Sequence, residues 1–174
     1  MDALSSLLRT LTRYLNDNEL FYAFTGELAL RMLGSGEQVR TVELTANLTS
    51  EERTKLLNFL EQEGFSTEHR WRGPVMMRHR TTGMGLRLRL AGSSAELAAI
   101  GRRVSATLGF EHFFIPATED LLLDLVNDQD IAQDKIVPVY LKWRNYLDMS
   151  YMVAAARSRG IYDRFIKMKM KAER

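Results

Sequence analysis

Three pairs of arginines, each pair separated by one residue, carry the strongest chemical signal in this sequence. The pairs are Arg70 and Arg72, Arg78 and Arg80, and Arg87 and Arg89. Residues two apart on a strand lie on one face, so each pair would present two guanidinium groups to one side. Guanidinium forks match the oxygens of phosphate. If the three strands are neighbours, the sequence predicts a cationic face that binds a nucleotide or nucleic acid. The alternative is a solvated face paired with Glu61, Glu63 and Glu68.

Other reactive groups in the chain do not form a recognisable metal or nucleophile motif. There is no cysteine, which excludes disulfides and thiolate chemistry. His69, His79 and His112 lack the spacing of metal ligands. Asp128, Asp130 and Asp134 resemble the start of a calcium loop but lack its glycine at position six and its glutamate at position twelve. We therefore expect no metal site from these residues.

Bulk composition indicates an ordinary globular protein. The chain has 174 residues, of which 45% are hydrophobic and 26% charged, and a net charge of +2. One hydrophobic core is expected at this size. Met1 to Asn16 carries Arg9 and Arg13 within an apolar repeat, so it does not resemble a signal peptide. No apolar run approaches the roughly 18–20 residues that span a bilayer. We expect a cytoplasmic protein with no membrane contact.

Periodicity predicts an alternation of strands and helices up to residue 117. A helix opens the chain, and Thr25-Gly26 turns a short strand into a second helix, Glu27 to Leu33. The predicted strands are Leu20 to Phe24, Val39 to Leu48, Phe65 to Trp71, Val75 to Arg80, Met84 to Ala91 and Phe110 to Ile115. Glu43 lies in the second of these strands.

Two capping boxes mark further helices. Thr49 with Glu52 begins a helix that ends near Gly64, and Ser93 with Glu96 begins one that we expect to reach Leu108. From Thr118 the pattern is helical to the end, with breaks around Asn127 to Val137 and at Gly160. The sequence thus predicts an α/β (α+β) core over residues 1–117 and a helical portion over residues 118–174.

Three segments, in this order, resemble the nucleotidyltransferase superfamily, especially the minimal nucleotidyltransferases and AbiEii-type toxin proteins. The first runs from Phe24 to Leu30, continues through Gly34, and ends in the strand Arg40-Thr41-Val42-Glu43-Leu44-Thr45. The second is Ile115 to Leu122, similar to the family's Pro-x-x-Glu-Asp-Leu helix start. The third is Lys142 to Asp148 with Ile161-Tyr162-Asp163. The resemblance implies a mixed sheet flanked by helices, with a C-terminal helical portion.

The resemblance also implies a site at which this chain departs from the family pattern. The family holds two magnesium ions with two strand carboxylates and a third from a neighbouring strand. Here Glu43 matches the first acidic position and Thr45 takes the second. Arg87 and Arg89 occupy the strand expected to supply the third. Repulsion between a divalent cation and two guanidinium groups is of the order of a few kcal/mol. The set therefore looks degenerate.

Candidate site residues follow from this comparison. Glu43 is the candidate catalytic residue; its alternative role is a solvated carboxylate, or one paired with an arginine such as Arg40. In the phosphate-binding turn, Glu27 replaces the usual glycine or serine and would repel phosphate. The candidates for phosphate contact are Gly26, Glu27, Arg40, Thr41, Thr45, Arg87 and Arg89.

Three functions remain open at this stage. The first is a pseudoenzyme that binds a nucleotide, a nucleic acid or a protein partner, with no certain cofactor. The second is an active enzyme that transfers NMP from an NTP, with Mg²⁺, to a small molecule, protein or tRNA. It would need a carboxylate beside Glu43 that the comparison has misplaced. The third is a non-enzymatic interaction module of the toxin–antitoxin type.

Overall fold

The computed structural model describes residues 3–36, 38–69, 73–128 and 133–174. The first half contains α1 (Ala3–Asp17), β1 (Phe21–Thr25), α2 (Gly26–Met32), β2 (Thr41–Asn47), α3 (Ser50–Gln62), β3 (Phe65–His69), β4 (Val75–His79) and β5 (Gly85–Leu90). The second half contains α4 (Ser94–Gly101), β6 (Val104–Leu108), β7 (Glu111–Ile115), α5 (Thr118–Asn127), α6 (Gln133–Trp143), α7 (Met149–Ser158) and α8 (Tyr162–Ala172). The α/β expectation is confirmed.

Five strands form one mixed sheet in the order β1-β2-β5-β4-β3. β2 and β5 are parallel, and the other neighbouring pairs are antiparallel. The three strands expected to carry the arginine pairs are therefore adjacent. Arg70 and Arg72 lie outside the described residues, and Arg80 follows the end of β4.

One face of this sheet is apolar and forms the core. Its side chains are almost fully buried: Tyr22, Phe24, Val42, Leu44, Leu86 and Leu88. Leucines of α1 and α3 belong to the same hydrophobic cluster, and the two helices meet where the rings of Tyr14 and Phe59 stack 4.2 Å apart. The alternation of β1, β2 and β5 then directs their other residues, including Glu43, to the opposite face.

The predicted helix from Ser93 to Leu108 is wrong in its second half. α4 ends at Gly101, and Val104–Leu108 forms β6, which pairs with β7 in an antiparallel hairpin. Val104 and Leu108 are four residues apart, a spacing that also fits a helix. The β-branched Val104 and Thr107 and the two-residue loop Gly109-Phe110 favour the hairpin instead.

The C-terminal helices pack against one another and share the core of the sheet portion. The helix break predicted from Asn127 to Val137 extends too far, because α6 begins at Gln133 and contains Pro138. A further break lies between Trp143 and Met149. Phe165 and Met168 of α8 are fully buried and belong to the hydrophobic cluster that includes Leu44 of β2. No described helix is both long and apolar enough to cross a membrane.

Candidate functional site

A cavity of about 490 Å³ opens on the polar face of the sheet, between β2, β5, α4 and α5. The first residue of α2 and the end of α7 complete its wall. Its lining includes Gly26, Glu43, Thr45, Arg89, Glu96 and Asp124. Four of the residues singled out from the sequence therefore meet here: Gly26, Glu43, Thr45 and Arg89.

Glu43 pairs with an arginine, as its alternative role supposed, but the partner is not Arg40. The parallel register of β2 and β5 places Arg87 directly opposite Glu43, and Arg87 Nη1 lies 3.6 Å from Glu43 Oε2. The Glu43 side chain is 25% exposed, which keeps its carboxylate accessible from the cavity. Arg87 Nε is buried and has no hydrogen-bond partner among the residues that the structure describes. A buried donor left unpaired costs about 1–3 kcal/mol, so this group favours an acceptor.

Arg89 is the cation best placed to meet a ligand. The same register puts Arg89 opposite Thr45, and both residues line the cavity. Arg89 is exposed and makes no hydrogen bond or ion pair within the described part of the chain. Thr45, by contrast, is only 8% exposed. The guanidinium group is therefore available to an anion that enters the cavity.

Gly26 fits its position for two independent reasons. Its φ is +62°, which disfavours any side chain, and a Cβ there would lie 2.6 Å from Cδ of Glu43. The glycine thus allows β1 to turn into α2 and leaves room for the Glu43 carboxylate. The backbone of Gly26 and the carboxylate of Glu43 therefore lie side by side at this corner of the cavity.

Glu27, Arg40 and Thr41 do not line the cavity. Glu27 Oε2 accepts hydrogen bonds from the backbone N–H of Arg40 at 2.8 Å and of Thr41 at 3.1 Å. The Glu27 carboxylate therefore ties α2 to the start of β2. Arg40 is exposed beyond the strand, and the Thr41 side chain packs over Gly85.

Three carboxylates that sequence reasoning did not assign to the site also line the cavity: Glu96, Asp124 and Asp128. They come from the N-terminal turn of α4 and the C-terminal half of α5, so only the packing of these helices brings them near Glu43. Asp124 lies one helical turn after Asp120 of the Glu-Asp-Leu motif, the one signal that marked this helix face. The cavity consequently has mixed charge.

Asp124 has an unusual environment. Its accessible surface, 49% of the side chain, opens onto the cavity, and Arg159 Nη1 donates to Oδ1 at 2.8 Å. Desolvation in this recess raises the pKa of Asp124 from 3.8 to about 6, against the opposing charge of Arg159 and with help from Asp120. Arg159 also donates from Nη2 to Asp120 Oδ1 at 2.5 Å, so both ends of its fork are occupied by carboxylates.

The Glu96 carboxylate accepts hydrogen bonds from the backbone at the N-terminus of its own helix, α4. Burial raises the pKa of Glu96, but the N–H groups of Gly92 and Ser93, the Ser93 hydroxyl and the charge of Arg89 together bring it below its usual value. Glu96 Oε2 accepts from both N–H groups at 2.9 Å, which completes the predicted capping box. Its carboxylate is therefore committed to capping α4.

Asp120 joins three helices below the cavity. It is fully buried and accepts hydrogen bonds from Tyr151 Oη at 2.6 Å, from Arg159, and from Arg102 Nε at 3.2 Å. The adjacent Glu119 accepts from the backbone N–H of Asp148 at 2.9 Å. The Glu-Asp pair of the motif thus fixes α7 and the end of α4 against α5.

The carboxylates do not converge as metal ligands. No group of three His, Asp or Glu side chains within the described ranges could hold a metal ion. His79 accepts from Thr82 N–H at Nδ1 and has Nε2 3.1 Å from the Glu63 carbonyl, while His112 contacts Thr107 across the hairpin. Asp130 lies outside the described residues. The donor set of the family's magnesium site, with Glu43 paired, Thr45 neutral and Arg89 beside it, does not fit two divalent cations.

Solved structures with a similar arrangement of helices and strands include an antibiotic-resistance factor, an antibiotic adenylyltransferase and a nucleotidyltransferase-like protein. The antibiotic-resistance factor ANT(2'')-Ia, in complex with adenylyl-2''-tobramycin, matches with a TM-score of 0.67 at 15% identity, over 91% of this chain and 99% of that one. The lincosamide antibiotic adenylyltransferase LnuA, lincomycin-bound, matches with 0.51 at 14% identity, over 67% and 82%. A nucleotidyltransferase-like protein of Paracoccidioides brasiliensis gives 0.54 at 13%, over 87% and 92%.

This chain has the nucleotidyltransferase fold. No family model and no curated protein matches its sequence, so the likeness is one of structure. Within this fold, the register of β2 and β5 determines which residues lie opposite Glu43 and Thr45. The acidic strand position at Glu43 faces Arg87, and Thr45 faces Arg89.

Proposed function

We propose that this nucleotidyltransferase-fold protein binds the phosphate groups of a nucleotide in the cavity beside Arg89 and does not use the fold's two-metal chemistry. The observation that carries the proposal is the guanidinium group of Arg89, which lines the cavity opposite Thr45 and has no hydrogen bond or ion pair with the described residues. An arginine that is free in a recess is a strong candidate for a phosphate ligand, because its fork can donate two parallel hydrogen bonds.

The size of the cavity supports a mononucleotide rather than a nucleic-acid strand. A volume of about 490 Å³ falls in the range of about 300–1,000 Å³ that is typical of small-molecule sites. Arg87 lies on the same sheet face but does not line this cavity, so Arg89 is the strand arginine that can meet a ligand there. Arg78, the other described strand arginine on this face, is already paired with Glu68 Oε1 at 2.6 Å.

Isothermal titration with ATP and GTP, with Mg²⁺ and with EDTA, tests the proposal. We expect binding that survives EDTA and that weakens by about 10- to 100-fold in Arg89→Gln, because a hydrogen bond to a charged group contributes about 1.5–3 kcal/mol. Arg78→Gln is the matched control, since it removes an arginine from the same face outside the cavity. No heat of binding in any titration, or an equal loss of nucleotide affinity in Arg89→Gln and Arg78→Gln, would reject the site.

An active nucleotidyltransferase is the second candidate, favoured by one observation. Glu96 and Asp124 line the same cavity as Glu43, so acidic side chains other than Glu43 are present there. An active enzyme would transfer label from an α-labelled triphosphate to an acceptor, and Glu43→Ala would abolish the transfer. Undiminished labelling in Glu43→Ala, with the surface variant Glu68→Ala as control, would remove Glu43 from that role.

The hypothesis of a toxin–antitoxin type interaction module, as in AbiEii-like proteins, makes a different prediction. Such a module would form a stable complex with the product of a neighbouring gene and give no signal with nucleotides. The titrations above separate it from both ligand-binding candidates.

A further inference from the structure

The outer edge of β6 has no partner among the described strands. β6 pairs only with β7, and Val104 is 45% exposed while Phe110, at the hairpin tip, is 90% exposed. Edge strands usually carry charge, proline or a bulge that prevents pairing with another chain. Val104-Ser105-Ala106-Thr107-Leu108 has no charged residue and no proline, and its ladder with β7 is regular.

The hairpin geometry identifies which backbone groups face outward. A two-residue loop, Gly109-Phe110, closes on the pair Leu108 and Glu111, which makes that pair a hydrogen-bonded one. Hydrogen-bonded and non-hydrogen-bonded pairs alternate along an antiparallel ladder. Leu108, Ala106 and Val104 therefore direct their N–H and C=O groups to β7. Ser105 and Thr107 direct theirs to the free edge.

We propose that this edge pairs with β6 of a second copy of the chain, antiparallel and about a two-fold axis at Ala106. In that register Ser105 lies opposite Thr107 of the other copy, and Thr107 opposite its Ser105. These are the residues whose backbone groups face outward, so four hydrogen bonds form between the copies. A two-fold contact of this kind is closed and self-complementary.

The side chains of β6 are self-complementary in the same register. Val104, Ala106 and Leu108 share the sheet face of the buried Phe113 and Ile115. Pairing about Ala106 places Val104 beside Leu108 of the second copy and Ala106 beside Ala106. Apolar side chains would then continue from one copy to the other, and the half-exposed Val104 would be covered. Ser105 and Thr107 would form hydroxyl pairs on the opposite face.

The charged side chains next to the β6 edge already have partners within each copy. Arg103 lies over the rings of Phe21 and Phe114, at 4.0 and 4.4 Å. Arg102 donates to Asp120, and Glu111 accepts from Arg9 at 2.8 Å. These side chains are held away from the strand edge, so they present no free charge of one sign at either end of the interface. This arrangement favours a second copy over a strongly charged partner.

Pairing through five residues buries little area, so we expect a weak dimer whose population rises with concentration between about 10 μM and 1 mM. Because the chain has no cysteine, Ala106→Cys introduces a single thiol that the proposed axis places beside its own copy. Cross-strand Cα atoms at a non-hydrogen-bonded pair lie about 4.5 Å apart, within disulfide range. Phe110→Cys is the control, since the same register separates the two tips.

Mild oxidation at matched concentrations should give covalent dimer at least about tenfold faster for Ala106→Cys than for Phe110→Cys. Equal rates would indicate random collision and would overturn the proposal. So would light scattering that shows only monomer up to about 1 mM. If the chain stays monomeric and a different protein is later found to bind this edge, the proposal of a second copy is wrong.

Two double variants test the register with opposite expected signs. Ser105→Lys with Thr107→Lys places lysine opposite lysine across the axis, and should reduce the dimer fraction at least fivefold in light scattering. Ser105→Lys with Thr107→Glu places lysine opposite glutamate, and should leave it unchanged or raise it. Ser105 and Thr107 are both exposed, so circular dichroism should confirm that both variants fold. Equal effects of the two would reject this register.

Discussion

At the scale of single residues, the carboxylate of Glu43 in the cavity lies against arginines of the neighbouring strand. Glu43 keeps its place on β2, but the parallel neighbour β5 supplies Arg87 at 3.6 Å and Arg89 at the next position on that face. An arginine of the neighbouring strand therefore balances the charge of this carboxylate. Gly26 is tied to this outcome, because its missing side chain leaves the space that Glu43 occupies.

Gly26→Ala should therefore destabilise the protein more than a glycine replacement that meets only backbone strain. Gly83 has a similar φ of +70° with open space around it, so Gly83→Ala measures the strain alone, about 1–2 kcal/mol. Displacing Glu43 should add about 1 kcal/mol or more to Gly26→Ala. Urea unfolding checks this. Adding Glu43→Ala to Gly26→Ala should remove the additional loss of stability. If it does not, the contact with Glu43 is not the cause of that loss.

Asp124 should make stability depend on pH in a direction opposite to that of most acidic residues. Its pKa rises to about 6 on folding from a usual 3.8, so between these values the folded protein holds a proton that the unfolded chain has released. The stability that this group contributes is then fully present below about pH 3.8 and is lost as the pH rises through about 6. Asp124→Asn should remove this decline, measured by urea unfolding at pH 4, 5, 6 and 7.

Glu51→Gln provides the comparison for the pH series. The hydrogen bond and charge of Lys55 lower the pKa of Glu51 on the surface of α3. The stability that Glu51 contributes is present above the ordinary glutamate range and is lost on acidification. Glu51→Gln should therefore change the slope of the unfolding free energy against pH in the direction opposite to that of Asp124→Asn. A pH series for Asp124→Asn that runs parallel to the wild type would mean that this carboxyl titrates normally.

At the scale of elements, the segments whose local chemistry determined their structure were the ones that the sequence predicted well. Thr49 with Glu52 and Ser93 with Glu96 both form complete capping boxes where expected. β1, β2 and β5 lie within two residues of the predicted strands, because alternation leaves one face for the core. Val104–Leu108 was missed because helix and strand spacing coincide there, and only pairing with β7 distinguishes them.

Thr49→Ala should cost about 1 kcal/mol of stability, since the hydroxyl accepts from Glu52 N–H at 3.2 Å at the start of α3. Thr54, on the exposed side of the same helix, bonds only the Ser50 carbonyl. Thr54→Ala should therefore stay within about 0.5 kcal/mol of the wild type in the same thermal or urea unfolding experiment. Similar losses in both variants would show that the cap contributes no more than an ordinary surface threonine.

For the molecule as a whole, the sequence could indicate the residues of the site but not their partners. Glu43 and Thr45 were singled out because alternation and the family resemblance act within one strand, β2, and Arg89 was singled out because it alternates with Arg87 on β5. Asp124 and Arg159 are 35 residues apart and meet only when α5 and α7 pack, which no local pattern encodes. The choice of Arg87 over Arg40 as the partner of Glu43 likewise depends on strand order.

Asp120 should be among the most sensitive positions of the entire fold. Asp120→Ala would leave Arg159, 12% exposed, and Arg102 without their shared buried carboxylate, at an expected cost of about 3–5 kcal/mol. Asp124→Ala removes another partner of Arg159 from the cavity wall and should cost less than about 1 kcal/mol. Denaturant unfolding of the two variants provides the comparison. A smaller loss for Asp120→Ala than for Asp124→Ala would contradict the central role of Asp120.

Both Lys142 Nζ and Trp143 Nε1 donate to the Leu33 carbonyl at 3.1 Å, which joins α6 to the end of α2. Since α2 begins at Gly26 in the cavity wall, this indole is a natural fluorophore placed one short helix away from the cavity. The sequence contains two tryptophans, so Trp71→Phe would leave Trp143 as the only emitter. Its emission spectrum then offers an optical signal for any displacement of α2 when the cavity fills.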